Sequence, residues 1–342
     1  MQNFPFEMGP IRPVDEADSL LIRTTRGCPW NRCEFCTLFK GMEFSLRGVD
    51  KIKADIRAAA DYYEGHPFET CFLQDGDSFV METADLIAVL NCLKEHFPSL
   101  KQISSYGRAR TMAKKSPTAM ADIREAGLNK LYCGMESGSE AVLKQMKKGI
   151  TPEMIIRAGE LAKNAGMETT EFIILGLGGT ALWEEHALET ARVLNSVNPD
   201  YIRVLTIGVK PGTGLGDQLE TGDFTLPSEG AIVKEQRLMV ENLEGITSHY
   251  ANHHSVDLLL EIRGQFPHAK EGVLAILDRF LGLSENEQTH FVLGRRLGYY
   301  RRLADMKDEG RHALVEAHMR KIVHECPGAM EALFHRLRSR VI

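Results

Sequence analysis

The chain has 342 residues, a formal net charge of −6 and 43% hydrophobic residues, enough apolar side chains for one large domain or for two. No apolar run approaches the roughly 20 residues that a membrane span requires, and the first 19 residues lack the basic start and apolar block of a signal peptide. The acidic balance argues against broad non-specific binding to nucleic acid.

The seven cysteines are unevenly distributed. Three lie within nine residues, and the other four are scattered: Cys71, Cys92, Cys133 and Cys326. An odd number of cysteines without an export signal argues against a disulfide framework. The sequence therefore predicts reduced thiols and one metal site in a cytoplasmic protein.

Short apolar or β-branched runs alternate with longer stretches of helical spacing between residues 19 and 207. We predict strands at Ser19–Thr25, Glu69–Gln74, Gln102–Tyr106, Lys130–Met135, Glu168–Leu175 and Tyr201–Ile207. We predict helices at Val49–Glu64, Thr83–His96, Pro117–Ala126, Pro152–Ala165 and Leu182–Val197. This alternation predicts parallel strands joined by right-handed crossovers, either in an open doubly wound sheet or in an incomplete (βα) barrel. Both fold types bind ligands at the carboxyl ends of their strands.

The pattern changes after Ile207. Lys210–Gly216 is predicted to be a loop, Ser228–Leu243 a helix capped by Ser228, and the chain from about Val256 onward wholly helical. From residue 291 to the end, 11 Lys and Arg residues face 6 Asp and Glu residues, a net charge of about +5. Solvated helix faces explain such a tail, and so does a surface for RNA or another acidic partner.

Three cysteines follow the first predicted strand directly, in the segment Arg23-Thr-Thr-Arg-Gly-Cys28-Pro-Trp-Asn-Arg-Cys33-Glu-Phe-Cys36. Three thiolates in one short loop can hold one metal centre, and thiolates are the ligands of iron–sulfur clusters. A structural zinc site normally needs four protein ligands, and no Cys or His pair lies near enough in sequence to complete one. A chance grouping of core cysteines is disfavoured by the Gly-Cys-Pro turn.

This segment resembles the signature of the radical S-adenosylmethionine (SAM) superfamily. The resemblance implies that Cys28, Cys33 and Cys36 bind a [4Fe–4S] cluster and that SAM chelates the fourth iron. The reduced cluster then cleaves SAM into methionine and a 5′-deoxyadenosyl radical, and Phe35 lies against the adenine. The common family spacing is CxxxCxxC, whereas four residues separate Cys28 from Cys33 here.

Two further motifs match the family's SAM-binding elements. Asp75 and Asp77 follow the second predicted strand, where the family carries a motif that holds the SAM ammonium group. By itself this Asp-Gly pair is more typical of a turn. Arg108 or Arg110, after the third strand, is implied to pair with the SAM carboxylate, and a surface position is the alternative for either arginine.

The stretch Gly134–Gly149 is similar to one in the branch of the superfamily that includes methylthiotransferase-like, Elp3-like and coproporphyrinogen dehydrogenase-like proteins. This similarity implies that Glu136 faces the SAM or the substrate. The glycines in Leu175–Gly179 resemble the motif that lies beside the adenine, which assigns Gly176 and Gly178 to SAM binding.

Three polar residues further along are predicted to serve the substrate. Arg203 on the sixth strand would point into a barrel lumen if Ile202 and Val204 pack outward. His249 and His253 lie in a stretch rich in proton-transferring side chains, which is a candidate for substrate contact or, alternatively, an exposed loop. Together with Glu136, these residues form the predicted catalytic set.

Absent motifs narrow the expected reaction. We expect no auxiliary clusters, because no second cysteine group follows, and no cobalamin-binding domain, because 27 residues precede Cys28. The expected fold is α/β: a partial (βα)6 TIM-like barrel over residues 1–215, capped by a mostly helical extension over residues 216–342. A cap of this kind excludes water and oxygen from a radical.

The predicted function is hydrogen abstraction from a small-molecule substrate by an oxygen-sensitive cytoplasmic enzyme. Its electron donor would be a protein such as flavodoxin or ferredoxin. Two alternatives remain open. One is an RNA-modifying radical SAM enzyme that uses the basic tail, and the other is a non-catalytic iron–sulfur sensor that binds SAM.

Overall fold

A computed structural model describes residues 4–339 of the chain. The strands are β1 (Leu20–Arg23), β2 (Thr25–Arg26), β3 (Ser45–Leu46), β4 (Thr70–Gln74), β5 (Gln102–Gly107), β6 (Leu128–Glu136), β7 (Glu168–Leu175), β8 (Tyr201–Thr206), β9 (His249–Asn252) and β10 (Arg263–Gln265). The helices are α1 (Val49–Tyr62), α2 (Thr83–His96), α3 (Ala109–Met112), α4 (Pro117–Ala126), α5 (Glu140–Gln145), α6 (Pro152–Asn164), α7 (Trp183–Val197), α8 (Gly214–Thr221), α9 (Glu229–Glu241), α10 (Lys270–Leu281), α11 (Glu285–Arg296), α12 (Glu309–Glu325) and α13 (Met330–Arg338).

The main sheet is mostly parallel and follows the chain in strand order. Its order is β1-β4-β5-β6-β7-β8-β9-β10, and β2 pairs separately with β3. Strands β1, β4, β5 and β6 are mutually parallel neighbours, β9 is parallel to β8, and β10 is antiparallel to β9. Within the described residues β1 and β10 are edges, so the sheet is not closed. The predicted α/β fold with a partial barrel is confirmed.

The chain folds as two compact units. The first contains the described residues up to Met135 together with Gly149–Glu171, and the second contains Glu136–Lys148 and the chain from Phe172 onward. Strand β7 contributes residues to both units. The expected domain boundary at residue 215 does not coincide with this division and stays a prediction.

Local sequence signals account for most helix ends. Helices α4 and α6 each begin with proline after a capping hydroxyl, since Ser116 accepts from Ala119 N–H and Thr151 accepts from Met154 N–H. Ser228 caps α9 in the same way, as predicted.

No helix among the described residues is long and apolar enough to cross a membrane.

The last part of the chain differs from the expectation of a purely helical region. Strand β10 lies beyond Val256, and β9 occupies part of the stretch that had a loop as its alternative. Both strands are short, and β9 is stabilised by pairing with β8, which is distant in sequence. Helix α8 begins inside the predicted loop 210–216, where Thr213 supplies its cap. The basic tail continues into residues 340–342, which lie outside the described residues.

Candidate functional site

The cysteine loop, defined here as residues 27–44, belongs to the first unit and is closed at its base by β2 and β3. Thr25 pairs with Leu46 and Arg26 with Ser45 in an antiparallel ladder. Cys28, Cys33 and Cys36 lie in the loop as half-buried thiols outside any disulfide. Phe35, between the last two, is also half-buried. Pairing at both ends therefore holds all three thiols in one closed segment.

Gly27, just before the first cysteine, is held through both its backbone N–H and its carbonyl. The Asp75 Oδ2 atom accepts the Gly27 N–H at 2.9 Å, and the Gly27 carbonyl accepts the Gly76 N–H at 3.3 Å. A Cβ on Gly76 would lie 3.3 Å from the Cys28 Cα atom and 3.1 Å from the Gly27 oxygen. Glycine at position 76 therefore allows the end of β4 to approach the cysteine loop closely.

Asp75 also anchors an ion-pair network beneath the loop. Its carboxylate is fully buried and accepts from two nitrogens of Arg23, the closer at 2.5 Å. Arg23 and Arg26 both reach Glu7, at 2.9 and 2.6 Å, and Arg26 lowers the pKa of Glu7 through its hydrogen bond. Charge pairing thus fixes the base of the loop.

The donor set suits an iron–sulfur cluster. Thiolates are the ligands that such clusters take, and three of them stand on one loop. No three His, Cys, Asp or Glu side chains within residues 4–339 converge as ligands of a single metal ion. Each thiolate of a [4Fe–4S] cluster binds its own iron, so its sulfurs stand on separate corners. Three cysteines leave the fourth iron for an exogenous ligand.

The additional residue in the cysteine spacing falls where the backbone turns through a left-handed conformation. Asn31 has φ of 45°, and its side-chain amide donates to the Phe39 carbonyl at 2.7 Å. Asparagine is one of the few residue types that enter this region readily. This hydrogen bond connects the four-residue spacer between Cys28 and Cys33 to the other side of the cysteine loop.

Three arginines surround Trp30 in the cysteine loop. The guanidinium carbons of Arg32, Arg108 and Arg110 lie 5.3, 5.5 and 5.6 Å from the ring centroid. Arg110 also donates to the Gly149 carbonyl at 3.2 Å. We call Trp30 and these three arginines the arginine cluster. It brings both predicted partners of the SAM carboxylate beside the loop that carries the cysteines.

Asp77, shortly after β4, is held by α3 and by the turn that follows it. Its carboxylate is fully buried and accepts from the Thr111 hydroxyl at 2.7 Å and from Phe79 N–H at 3.2 Å. Burial raises its pKa to about 6, and the nearby Arg108 guanidinium counteracts that rise. Both predicted acids, Asp75 and Asp77, therefore lie inside the first unit with protein groups as hydrogen-bond donors.

In the second unit, Glu136 stands at the end of β6 in a strained backbone conformation. Its φ is 65°, uncommon for a residue with a side chain, and its carboxylate pairs with Lys148 at 2.7 Å. Strain of this kind concentrates at functional sites. The functional role of Glu136 stays a prediction.

The glycine motif after β7 is held by a buried polar network. Gly176 N–H donates to the Glu235 carboxyl at 2.7 Å, and His186 Nε2 lies 3.5 Å from the same oxygen. Burial raises the pKa of Glu235 to about 8 and lowers that of His186 to about 4, so both are neutral at pH 7. A Cβ on Gly178 would lie 2.8 Å from the Leu182 carbonyl oxygen. The motif is therefore tightly packed.

Residues of β8 and β9, together with others between β9 and β10, line a cavity of about 510 Å³. Arg203 is buried, and its Nη1 donates to His253 Nε2 at 2.9 Å. His249 also lines the cavity. Ile202 and Val204 are fully buried and alternate with Arg203 along β8, so their side chains leave from the opposite face. The structure thus places all three polar candidates of this region around one cavity.

The Radical SAM superfamily model matches residues 22–191, a range that contains the cysteine loop, Asp75, the arginine cluster and Glu136. Three cysteines on a loop after the first sheet strand are what this family requires. The chain belongs to the radical SAM superfamily. The cofactors of this family are a [4Fe–4S] cluster and SAM.

Two curated proteins are similar to parts of this chain. An uncharacterized methyltransferase of Pyrococcus horikoshii is 28% identical over 63% of this chain and 46% of its own length. The bacteriochlorophyllide d C-8(2)-methyltransferase of Chlorobaculum tepidum is 27% identical over 40% of this chain and 30% of its own length. This radical SAM chain therefore spans less than half the length of these two curated relatives.

Among solved structures, the coproporphyrinogen III oxidase HemN of Escherichia coli shares the radical SAM fold. Its TM-score is 0.53 at 19% identity, over 66% of this chain and 52% of that one. At this identity the likeness supports the fold alone.

Sequence reasoning missed the groups that fasten the cysteine loop of this radical SAM protein. Glu7 and Arg47 take part in the ion-pair network, and neither stands out by spacing or motif. Trp30 contacts the three arginines of the arginine cluster. Trp30 carried one signal, since its position between two cysteines places an aromatic ring beside the cluster ligands. Glu235 gave no signal, because it lies on an ordinary amphipathic helix far from the glycines that it holds.

Proposed function

We propose that this radical SAM protein is an enzyme that cleaves SAM reductively and abstracts hydrogen from a small-molecule substrate. The observation that carries the proposal is the closed cysteine loop with three thiols, fastened through Gly27 to the buried carboxylate of Asp75. When bound, a reduced [4Fe–4S] cluster supplies the electron that breaks SAM into methionine and a 5′-deoxyadenosyl radical.

In this proposal, the first unit holds the cofactors. Cys28, Cys33 and Cys36 bind the cluster, and Phe35 contacts the adenine. Arg108 or Arg110 pairs with the SAM carboxylate, because a guanidinium group matches a carboxylate in two-point geometry. Asp75 and Asp77 orient the backbone at the end of β4 toward the SAM ammonium group.

Further residues have proposed roles in binding SAM or the substrate. Glu136 faces SAM or substrate, while Gly176 and Gly178 allow the chain to approach the adenine closely. Arg203, His249 and His253 bind the substrate in the 510 Å³ cavity, whose volume lies within the range of metabolite sites. Among these groups the two histidines are suited to proton transfer.

The electron for SAM cleavage is proposed to come from flavodoxin or ferredoxin in the cytoplasm. All seven cysteines lie within residues 4–339 and none of them forms a disulfide, which is typical of a reducing compartment. A protein reductant fits, because the cluster must accept one electron before it can cleave SAM.

Methyl transfer is a second candidate function. Two curated relatives, at 28% and 27% identity, are named as methyltransferases. Loss of the SAM methyl group to a substrate leaves S-adenosylhomocysteine. Reductive cleavage instead gives methionine and a 5′-deoxyadenosyl radical, which becomes 5′-deoxyadenosine when it abstracts a hydrogen atom. RNA modification through the basic tail, and SAM sensing without turnover, stay predictions for which we find no specific support.

The deciding experiment is anaerobic reconstitution with iron and sulfide, then addition of dithionite, SAM and candidate substrates, followed by chromatography of the nucleoside products. Formation of 5′-deoxyadenosine supports hydrogen abstraction. S-adenosylhomocysteine as the only product would replace the proposal with methyl transfer. A reconstituted cluster without either product would favour the sensor alternative.

A further inference from the structure

Three register partners, one each on β8, β9 and β10, lie side by side along the cavity at β8 and β9, and we call them the arginine row. Arg203 on β8 is the register partner of Ala251 on β9, and Ala251 is the register partner of Arg263 on β10. Partner positions on neighbouring strands share a face of the sheet. Two strand spacings separate the arginine Cα atoms by about 10 Å. The small alanine leaves the space between the two guanidinium stems open.

The opposite face of the same strands is covered by a helix. Tyr250 and Asn252 alternate with Ala251 along β9, and both interact with Gln236 of α9, at 2.8 and 2.6 Å. Asn252 is nevertheless among the residues that border the cavity. Helix packing thus fixes β9, and the arginine row stands on its other face.

The described side chains that line the cavity are basic or neutral. Its lining includes both arginines, His249 and His253, and none of the described residues that form it is acidic. His253 is exposed, yet desolvation of its ring and the charges of Arg203 and Arg263 lower its pKa to about 4. The imidazole is therefore neutral at pH 7 and accepts the Arg203 N–H without offsetting its charge.

The protein orients the guanidinium group of one arginine more strongly than that of the other. This difference is suitable for two side chains that bind one ligand together. Arg203 is 7% exposed, and His253 orients its guanidinium group. Arg263 is exposed and donates to the Leu260 carbonyl at 3.3 Å. One guanidinium is thus pre-oriented inside the cavity, and the other can close over a ligand from the rim.

Aromatic rings form the wall beside the row. Tyr201 and His249 are register partners one step along the strands, and their ring centroids are 5.9 Å apart. The lining adds the apolar Leu260. A ligand with an anionic end and a flat or apolar body would match this arrangement.

We infer that this cavity binds the carboxylate or phosphate of an anionic metabolite between the guanidinium groups of Arg203 and Arg263. The inference rests on the proposed function in one respect, because it names the class of that enzyme's substrate. Both anions present paired oxygens that match the planar guanidinium fork.

The test measures binding separately from SAM chemistry. Succinate and inorganic phosphate are titrated calorimetrically, at constant ionic strength, into the anaerobically reconstituted protein without reductant. We expect one of these anions to bind, which also distinguishes a carboxylate from a phosphate ligand. Arg263→Gln should weaken that binding at least 10-fold, because one charge-assisted contact is lost.

Two further variants serve as a second disruption of the site and as a control. Ala251→Glu places a carboxylate between the arginines and should abolish anion binding while leaving the fold intact. Arg192→Gln removes an exposed arginine of α7 that pairs with Glu189, and should bind the anion like the wild type. Formation of 5′-deoxyadenosine is assayed in parallel for every variant.

Absence of binding by both anions would overturn the inference, as would equal binding by wild type, Arg263→Gln and Ala251→Glu. If the anions fail to bind while 5′-deoxyadenosine forms, the proposed function stands and the substrate class is wrong. If an anion binds as expected but no 5′-deoxyadenosine forms, the anion site stands and the proposed function fails.

Discussion

The buried carboxylate of Asp75 accepts the backbone N–H of Gly27 at 2.9 Å, so the end of β4 holds the residue that precedes the first cysteine. The same oxygen pairs with Arg23. A side chain that family resemblance assigns to SAM is thus engaged with the cysteine loop. We infer that cluster retention depends on residues that are not themselves ligands.

Asp75→Asn tests this dependence. The amide loses the charge that pairs with Arg23 and leaves a buried guanidinium with Glu7 as its other acidic partner. We expect the free energy of unfolding to fall by about 3 kcal/mol, as when one partner of a buried pair is removed. Iron and sulfide content after reconstitution should fall as well.

A matched control for Asp75→Asn is Glu69→Gln, just before the same strand. Glu69 pairs with Lys101, but its side chain is 65% exposed. Surface pairs contribute about 0–1 kcal/mol, so denaturant unfolding and iron content should remain close to the wild type. Equal iron content in both variants would contradict the role of Asp75 in cluster retention.

Gly149→Ala tests the arginine cluster. Gly149 has φ of 73°, and an added Cβ would lie 2.4 Å from the Trp30 ring. The ring must move, and the guanidinium groups around it move too. We expect the Kd for SAM, measured by equilibrium dialysis with the oxidised cluster, to rise at least 10-fold. Such a change corresponds to about 1.4 kcal/mol.

Gly166→Ala provides the control for the backbone effect. Gly166 also has φ of 73°, but a Cβ added there would meet no non-neighbouring atom of the described residues within 4 Å. Both variants therefore carry the same left-handed strain, about 1 kcal/mol, and only Gly149→Ala disturbs Trp30. If the two variants bound SAM equally well, the arginine cluster would have no part in SAM binding.

Glu235→Gln tests the buried network at Gly176 through pH. Burial raises the pKa of Glu235 from 4.5 to about 8, so the folded protein binds this proton more tightly than the unfolded chain. The resulting stabilisation is complete below pH 4.5 and is lost as pH rises toward 8, by at most about 1.4 kcal/mol per pH unit. Glutamine keeps an acceptor for Gly176 N–H and does not titrate.

The pH dependence of the free energy of unfolding is best compared between wild type and Glu235→Gln from about pH 6.5 to 8, where His186 does not contribute to the slope. The pKa of His186 is lowered from 6.5 to about 4, so its contribution to the free energy of unfolding rises with pH only below 6.5. We expect the free energy of unfolding of Glu235→Gln to decline less over this window than that of the wild type. Glu241→Gln, an exposed position on the same helix, should keep the wild-type slope. Parallel slopes for wild type and Glu235→Gln would show that Glu235 is ionised in the fold.

Sequence patterns located most of the regular structure because its signals are local. Helices α2 and α4 have the predicted bounds, and β7 matches Glu168–Leu175. By contrast, β9 and β10 contain four and three residues and depend on pairing across the sheet, so no local period reveals them. Long-range pairing also explains why Arg263, the cavity residue on β10, was not predicted.

The candidate site was predictable where chemistry requires a residue type. Three closely spaced cysteines indicate a cluster without any knowledge of the fold. The ring of arginines around Trp30 and the link from Glu235 to Gly176 depend on tertiary contacts between residues far apart in the chain and leave no sequence pattern. Individual roles within the predicted set remain predictions.

The most direct test of the central claim compares SAM cleavage by Cys33→Ala and Cys326→Ala. Cys33 lies in the cysteine loop, whereas Cys326 is an exposed thiol outside it. Both proteins are reconstituted anaerobically, reduced with dithionite and assayed for 5′-deoxyadenosine. We predict wild-type cleavage by Cys326→Ala, and neither the cluster absorbance nor any cleavage by a folded Cys33→Ala. Retained cleavage by Cys33→Ala would contradict the ligand assignment.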